Sequence, residues 1–136
     1  MTDQRWPLKL SSAMALHQKE MMRFHLVAVQ EIIAAMAARD FDTIAKAARS
    51  IGYSKQKAAI CTNMGAATPG FTERAIAFHH SADKIALAAE KRNIDGVTAA
   101  LAQTLEHCTS CHAMYRQDVV DQSTWQQLRK PTTQLP

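Results

Sequence analysis

From Leu8 to Ala38 one seam of side chains returns every three or four positions: Leu10, Met14, His17, Met21, Phe24, Ala28, Ile32 and Ala35. A second row, Met22, Leu26, Val29, Ile33 and Met36, runs beside it. Two adjacent rows give a helix an apolar face wide enough for more than one neighbour, so the rest of the chain must supply partner helices. Composition agrees. The chain holds 24 Ala against 4 Gly and 4 Pro, the best helix former against the two worst. Its 4 Phe, 2 Trp and 2 Tyr are thin for a β-sandwich core. At 136 residues it is the length of one ordinary domain.

The helical period recurs three more times. Asp40 caps a second helix carrying Phe41, Ile44, Ala48 and Ile51, and Gly52 ends or kinks it. Ser54 restarts a short helix through Ile60 and Cys61, before a loop at Asn63–Gly70. Thr72 caps a third helix with Ala75, Phe78, His79, Ala82, Ile85, Ala86 and Ala89 on its face. After the turn Asn93–Gly96, with Asp95 as cap, a fourth helix presents Val97, Leu101, Thr104, Cys108, Cys111/His112, Tyr115 and Val119, ending near Asp121. The pattern predicts an all-α, antiparallel up-down-up-down four-helix bundle. A single domain spans residues 1–136, with a core at 8–121 and a loosely held tail at 122–136.

Several function classes fall away on composition. The apolar run Ile32–Ala38 is far short of the roughly 20 residues that span a bilayer. Net charge is +4, but the basic residues are dispersed, and no basic stripe interleaves with aromatics as nucleic-acid binding would want. A mild positive charge does favour an acidic protein partner. Residues 1–10 lack the order of a signal peptide.

The chemistry concentrates in Cys108-Thr109-Ser110-Cys111-His112, a C-x-x-C-H sequence. This is the attachment signature of c-type haem. Two thiols three residues apart share a helical face and can each form a thioether to one haem vinyl, and the following His112 reaches the iron. A thioredoxin-like pair would want a βαβ context, and a zinc site would want further ligands at a suitable spacing. One motif implies one covalently attached haem c, held by Cys108 and Cys111 with His112 as axial ligand. Covalent attachment in bacteria takes place outside the cytoplasm, so the expected location is the periplasm, with the sequence as the mature form. Cys61 reads as a small buried hydrophobe. No catalytic acid, base or nucleophile constellation appears, and an enzyme is not expected.

A C-x-x-C-H near the C-terminus of a four-helix chain, followed by Tyr115-Arg116, resembles the class II cytochromes c. These are the cytochromes c-prime and their low-spin, methionine-ligated relatives. The likeness extends to His17-Gln18-Lys19-Glu20-Met21-Met22 and to Asp40-Phe41-Asp42, covering roughly residues 8–121. His17 stands where the family has an Arg that bonds a haem propionate, and Met22 where it has Lys. The resemblance implies that Gln18 and Arg116 attend the haem and that Met21 faces the open side of the iron. Antiparallel first and fourth helices would independently place His17–Met21 opposite His112, with Phe78 packed on the ring. His17, Met64 or no residue at all are the rivals to Met21. His25 falls off the seam and His107 precedes the motif, so both are expected at the surface, and His79 and His80 are expected to be polar or exposed. The function expected is a one-electron carrier with His112/Met21 ligation that meets redox partner proteins. The alternative is a five-coordinate binder of nitric oxide or carbon monoxide. The resemblance also implies a homodimer through the first two helices.

Overall fold

Five helices start where a side chain accepts a hydrogen bond from the backbone N–H three residues on: Ser11 from Met14, Asp40 from Thr43, Ser54 from Lys57, Asn93 from Gly96 and Asp121 from Thr124. Each cap satisfies a donor that the first helical turn would otherwise leave unpaired. The computed structural model describes residues 1–130. In chain order these form β1 (Trp6–Ser11), α1 (Ser12–Ala37), α2 (Phe41–Ser50), α3 (Lys55–Met64), α4 (Phe71–Glu90), α5 (Ile94–Met114), β2 (Tyr115–Val120) and α6 (Gln122–Arg129). Asp40 and Ser54 are the caps the sequence predicts. Thr72 and Asp95 are not: α4 starts at Gly70, which sits at φ 87 without a side-chain cap, and Asn93 caps α5. Arg39 and Arg92, both at φ 54, close α1 and α4. The next N–H bonds back to Ala35 or Ala88, so each left-handed residue lets the chain turn directly into the following cap.

The all-α expectation is corrected at both ends. Leu8 and Leu10 do not open the first helix, and Tyr115 and Val119 do not close the fourth. Both segments are strands, paired in parallel from Trp6↔Tyr115 to Ser11↔Val120. The alternation of Leu8 (3% exposed) and Leu10 (0%) with more open neighbours has the strand period of two, which the three-and-four count along the first helix absorbed unnoticed. Lys9 and Asp118, directly opposed in the ladder, form an ion pair at 3.0 Å. The tail also differs. Residues Gln122–Arg129 form α6, with Trp125 buried beneath Arg129, while residues 131–136 lie outside the described part. Among the described residues there are therefore six helices and a strand pair, not four helices.

Packing runs α1 on α2, α2 on α4 and α4 on α5. One core joins Ile32, Ala35, Ile44, Ala48, Ile85, Ala89, Val97 and Leu101. The many alanines let these backbones approach closely. A second cluster, Leu8, Leu10, Ala15, Met64, Phe71 and Tyr115, sits under the strands. Helix α1 leaves β1 beside the end of β2 and turns back over it, since Gln117 on β2 donates to the Ala15 carbonyl at 3.1 Å and to Gln18 Oε1 at 2.7 Å. It therefore runs opposite to β2 and α5, but it makes no packing contact with α5 comparable to that with α2.

Leu10 is fully covered and belongs to the ladder that fastens α1 to the end of α5. Leu10→Ala should lower the unfolding free energy by about 2–5 kcal/mol, read by urea denaturation. A loss below about 0.5 kcal/mol, the range of ordinary surface changes, would show that the ladder does not anchor the fold.

Candidate haem-binding site

Between α1 and α5 lies a cavity of about 430 Å³. Helix α1 contributes Gln18, Met21, Met22, His25, Leu26 and Val29; α3 contributes Lys57, Ile60, Cys61 and Met64; α4 contributes Phe71, Arg74, Phe78 and His79; α5 contributes Leu105, His107, Cys108, Cys111 and His112. Leu26 is 70% exposed and Leu105 37% exposed. These apolar side chains line a wall instead of packing into a core. The second row of α1 is thereby divided. Met22 and Leu26 face the cavity, Val29 reaches both cavity and core, Met36 meets the core, and Ile33 stays half exposed.

Cys108 and Cys111 are unbridged, half-buried thiols on the last turns of α5. Burial pushes both thiols up from the ordinary value, with the mutual influence of Cys111 adding at Cys108 and the charge of Arg74 opposing at Cys111. Cys108 also points a weak S–H at the Thr104 carbonyl, 3.5 Å away. His112 is exposed, two residues before the helix ends. Arg5 braces that end. Its guanidinium donates to the carbonyls of His112 at 3.2 Å and Tyr115 at 3.3 Å, and Asp3 holds it from the other side. The sequence carried no signal for Arg5, because its role depends on strand β1 returning to the end of α5.

The structure brings Cys108, Cys111, His112, Met21, Gln18 and Phe78 to one cavity and leaves Arg116 on β2, outside its lining. Gln18 has both ends of its amide engaged, donating to Met64 Sδ at 3.0 Å and accepting from Gln117. That pairing also ties up the Met64 sulfur. His17 does not line the cavity. Phe78 is buried in the cluster on which Cys108 packs. Cys61 is buried, as expected, and its thiol is also pushed up by burial.

The histidines depart most from expectation. His25 and His107, expected at the surface, line the cavity; His79, expected polar or exposed, is buried; His80 stays outside, as His17 does, and stacks on Tyr53 at 4.2 Å. His79 uses Nδ1 to donate to the Ile51 carbonyl at 2.7 Å. The His25 ring lies 4.7 Å from Phe78 and 5.6 Å from His79. Burial pulls its pKa down to about 4, with His79 and Lys57 adding to the shift. Burial also lowers the His79 pKa, against the opposing effect of its bond to Ile51. Both imidazoles are neutral at neutral pH.

The level opposite His112 also depends on the strands. The expected match to His17–Met21 assumed helix up to Asp121, but the stretch after Met114 is strand, which climbs twice as fast per residue. From the Gln117–Gln18 contact, two strand residues and three helical ones climb about 11 Å to His112. The same climb along α1 is about seven residues, and because the Gln117 amide bonds both Ala15 and Gln18 it ends between Met22 and His25.

These residues fit a haem. The wall is apolar and the two thiols face one side of it. Three cations, Arg23, Lys57 and Arg74, stand on the lining and suit the two carboxylates of the ring. Lys57 donates to the carbonyls of Ser50 at 2.8 Å and Gly52 at 2.9 Å, whereas no carboxylate among the described residues lies within ion-pair distance of Arg23 or Arg74. No three His, Cys, Asp or Glu side chains among the described residues converge on a bare metal site.

A helical chain with C-x-x-C-H on the wall of an apolar cavity is of the c-type cytochrome class. The family model described as Cytochrome C' matches residues 1–116, and the chain belongs to that family. Membership implies a covalently bound c-type haem. Neither the curated proteins nor the solved structures give a significant match. No helix among the described residues is long and apolar enough to cross a membrane.

Two outcomes follow. Haem should stay with the denatured wild-type polypeptide in mass spectrometry, and the double variant Cys108→Ala/Cys111→Ala should lose it; retention in the double variant would rule out thioether attachment. The second concerns pH. The folded pKa of His25 lies below its unfolded value of 6.5, so between the two the unfolded chain binds more protons and folding is penalised. Stability should be full above about 6.5 and fall as pH drops toward 4, by up to about 3 kcal/mol from His25. His25→Phe should flatten that decline in urea denaturation, and an unchanged slope would contradict the buried, neutral imidazole.

Proposed function

We propose that this chain is a periplasmic cytochrome with one haem, held through Cys108, Cys111 and His112, that binds a small neutral molecule such as nitric oxide or carbon monoxide on the α1 side. The observation that carries this reading is the separation of α1 from α5 by an apolar cavity that His112 and the α1 face share. Bound haem supplies an iron that changes charge by one electron and takes small neutral ligands. The chain supplies the rest. Cys108 and Cys111 would fix the ring to α5 and His112 would hold the iron, with Phe78 in the buried cluster on which Cys108 packs. Leu26, Val29 and Phe78 exclude water and charged solutes from the α1 side. Arg23 and Arg74 offer charge to the carboxylates in place of the Arg that the family has at His17.

A second reading is favoured by Met21, whose side chain also lines the cavity. A thioether there as sixth ligand makes an electron carrier and raises the potential. The net charge of +4 suits an acidic redox partner in either case. A homodimer through α1 and α2 would draw on exposed Ile33.

Visible spectra of the purified holoprotein separate the two readings. Ligand binding at an open iron requires a high-spin, five-coordinate ferric spectrum that Met21→Ala leaves in place, while truncating the partly covered Met costs up to about 2–5 kcal/mol of stability. A low-spin ferric spectrum with a far-red sulfur-to-iron band, lost in Met21→Ala together with a fall in potential, would hand the assignment to the electron carrier. Met22→Ala should leave either spectrum unchanged.

A further inference from the structure

His25 is the one cavity imidazole on the wall facing α5. It stands on α1, one turn beyond Met21 and on the same side of the helix. It lines the same cavity as His112, and its ring lies 4.7 Å from that of Phe78, a member of the buried cluster on which Cys108 packs. The side chain is largely covered, yet neither ring nitrogen has a hydrogen-bond partner in the protein among the described residues, whereas His79 beside it is bound to Ile51. The ring lines the cavity, so its nitrogens are left for a group held there. Elsewhere on the α1 wall, Met21, Met22, Phe24, Leu26 and Val29 carry no side-chain donor, the Gln18 amide is engaged with Met64 and Gln117, and Arg23 is exposed.

The geometry points to His25 as the polar group of the ligand side: its ring N–H donates a hydrogen bond to the small molecule held between α1 and the haem, and sets which diatomic ligands the pocket retains. This rests on the haem-binding reading above. A neutral imidazole has one donor and one acceptor nitrogen, and burial keeps His25 neutral at physiological pH. An apolar pocket discriminates weakly between nitric oxide, carbon monoxide and dioxygen by shape. One donor favours the ligand with the most negative terminal atom, so His25 biases the site toward polar-bound diatomics.

The test uses the ferrous holoprotein with carbon monoxide and infrared detection of the C–O stretch. A donor to the ligand oxygen lowers that frequency. His25→Phe keeps a ring against Phe78 and removes both nitrogens; it should move the stretch to higher wavenumber and speed dioxygen or nitric oxide release. His25→Gln restores an N–H donor and should move the stretch back toward wild type. An unchanged stretch in His25→Phe overturns the proposal. So does a low-spin ferric wild type that turns high-spin in His25→Phe, since His25 would then be an iron ligand. Haem content, measured on the same samples, reads the underlying assignment separately: a wild-type polypeptide without covalent haem sinks the haem reading itself.

Discussion

Six residues at each end of the fold pair as parallel strands, and that ladder sets where α1 stands relative to α5. Because β1 feeds α1 while α5 feeds β2, parallel pairing forces α1 to double back over β2 before it can run beside α5. The Gln117 side chain fastens the return by bonding both the Ala15 carbonyl and Gln18. Arg5, just before β1, closes the same junction by bonding the carbonyls at the end of α5. The two walls of the cavity are thus tied by hydrogen bonds at one end, and by the α2–α4 core at the other. Between these joints they stand apart.

That separation explains an otherwise uneconomical use of apolar residues. Leu26, Leu105 and Ile60 are too exposed for core positions, yet they converge on one space. Polar groups there are few and most are already satisfied. Gln18 is spent on Met64 and Gln117, His79 on Ile51, and Lys57 on two carbonyls. His25 and the charges of Arg23 and Arg74 are what the cavity keeps for other chemistry. In an apolar surround one unpaired imidazole has more influence than it would at a wet surface, because nothing screens it.

Much of the helical frame was legible along the chain. Asp40 and Ser54 are caps of the expected kind, and the faces of the long helices bury Ile32, Ile44, Ile85 and Leu101 as their spacing requires. The strands were not legible. In Leu8–Leu10 a period of two overlaps the first steps of a period of three and four, and Tyr115–Val120 is too short for its alternation to stand against the helix before it. The histidines misled for a related reason. His25 is off the apolar seam, so a two-faced helix would place it in water, but α1 has a third face that looks into the cavity.

The sequence by itself determined the attachment chemistry and the helical class. Cys108, Cys111 and His112 carry their spacing wherever the chain goes, and alanine-rich amphipathic segments have few alternatives to packing as helices. Only the tertiary structure decided what stands across from His112. That depends on the register of a strand pair joining residues more than a hundred positions apart and on the different rise of strand and helix, neither of which local periodicity records. The fold brings Met21 and His25, a thioether and an imidazole one turn apart, to the same cavity as His112.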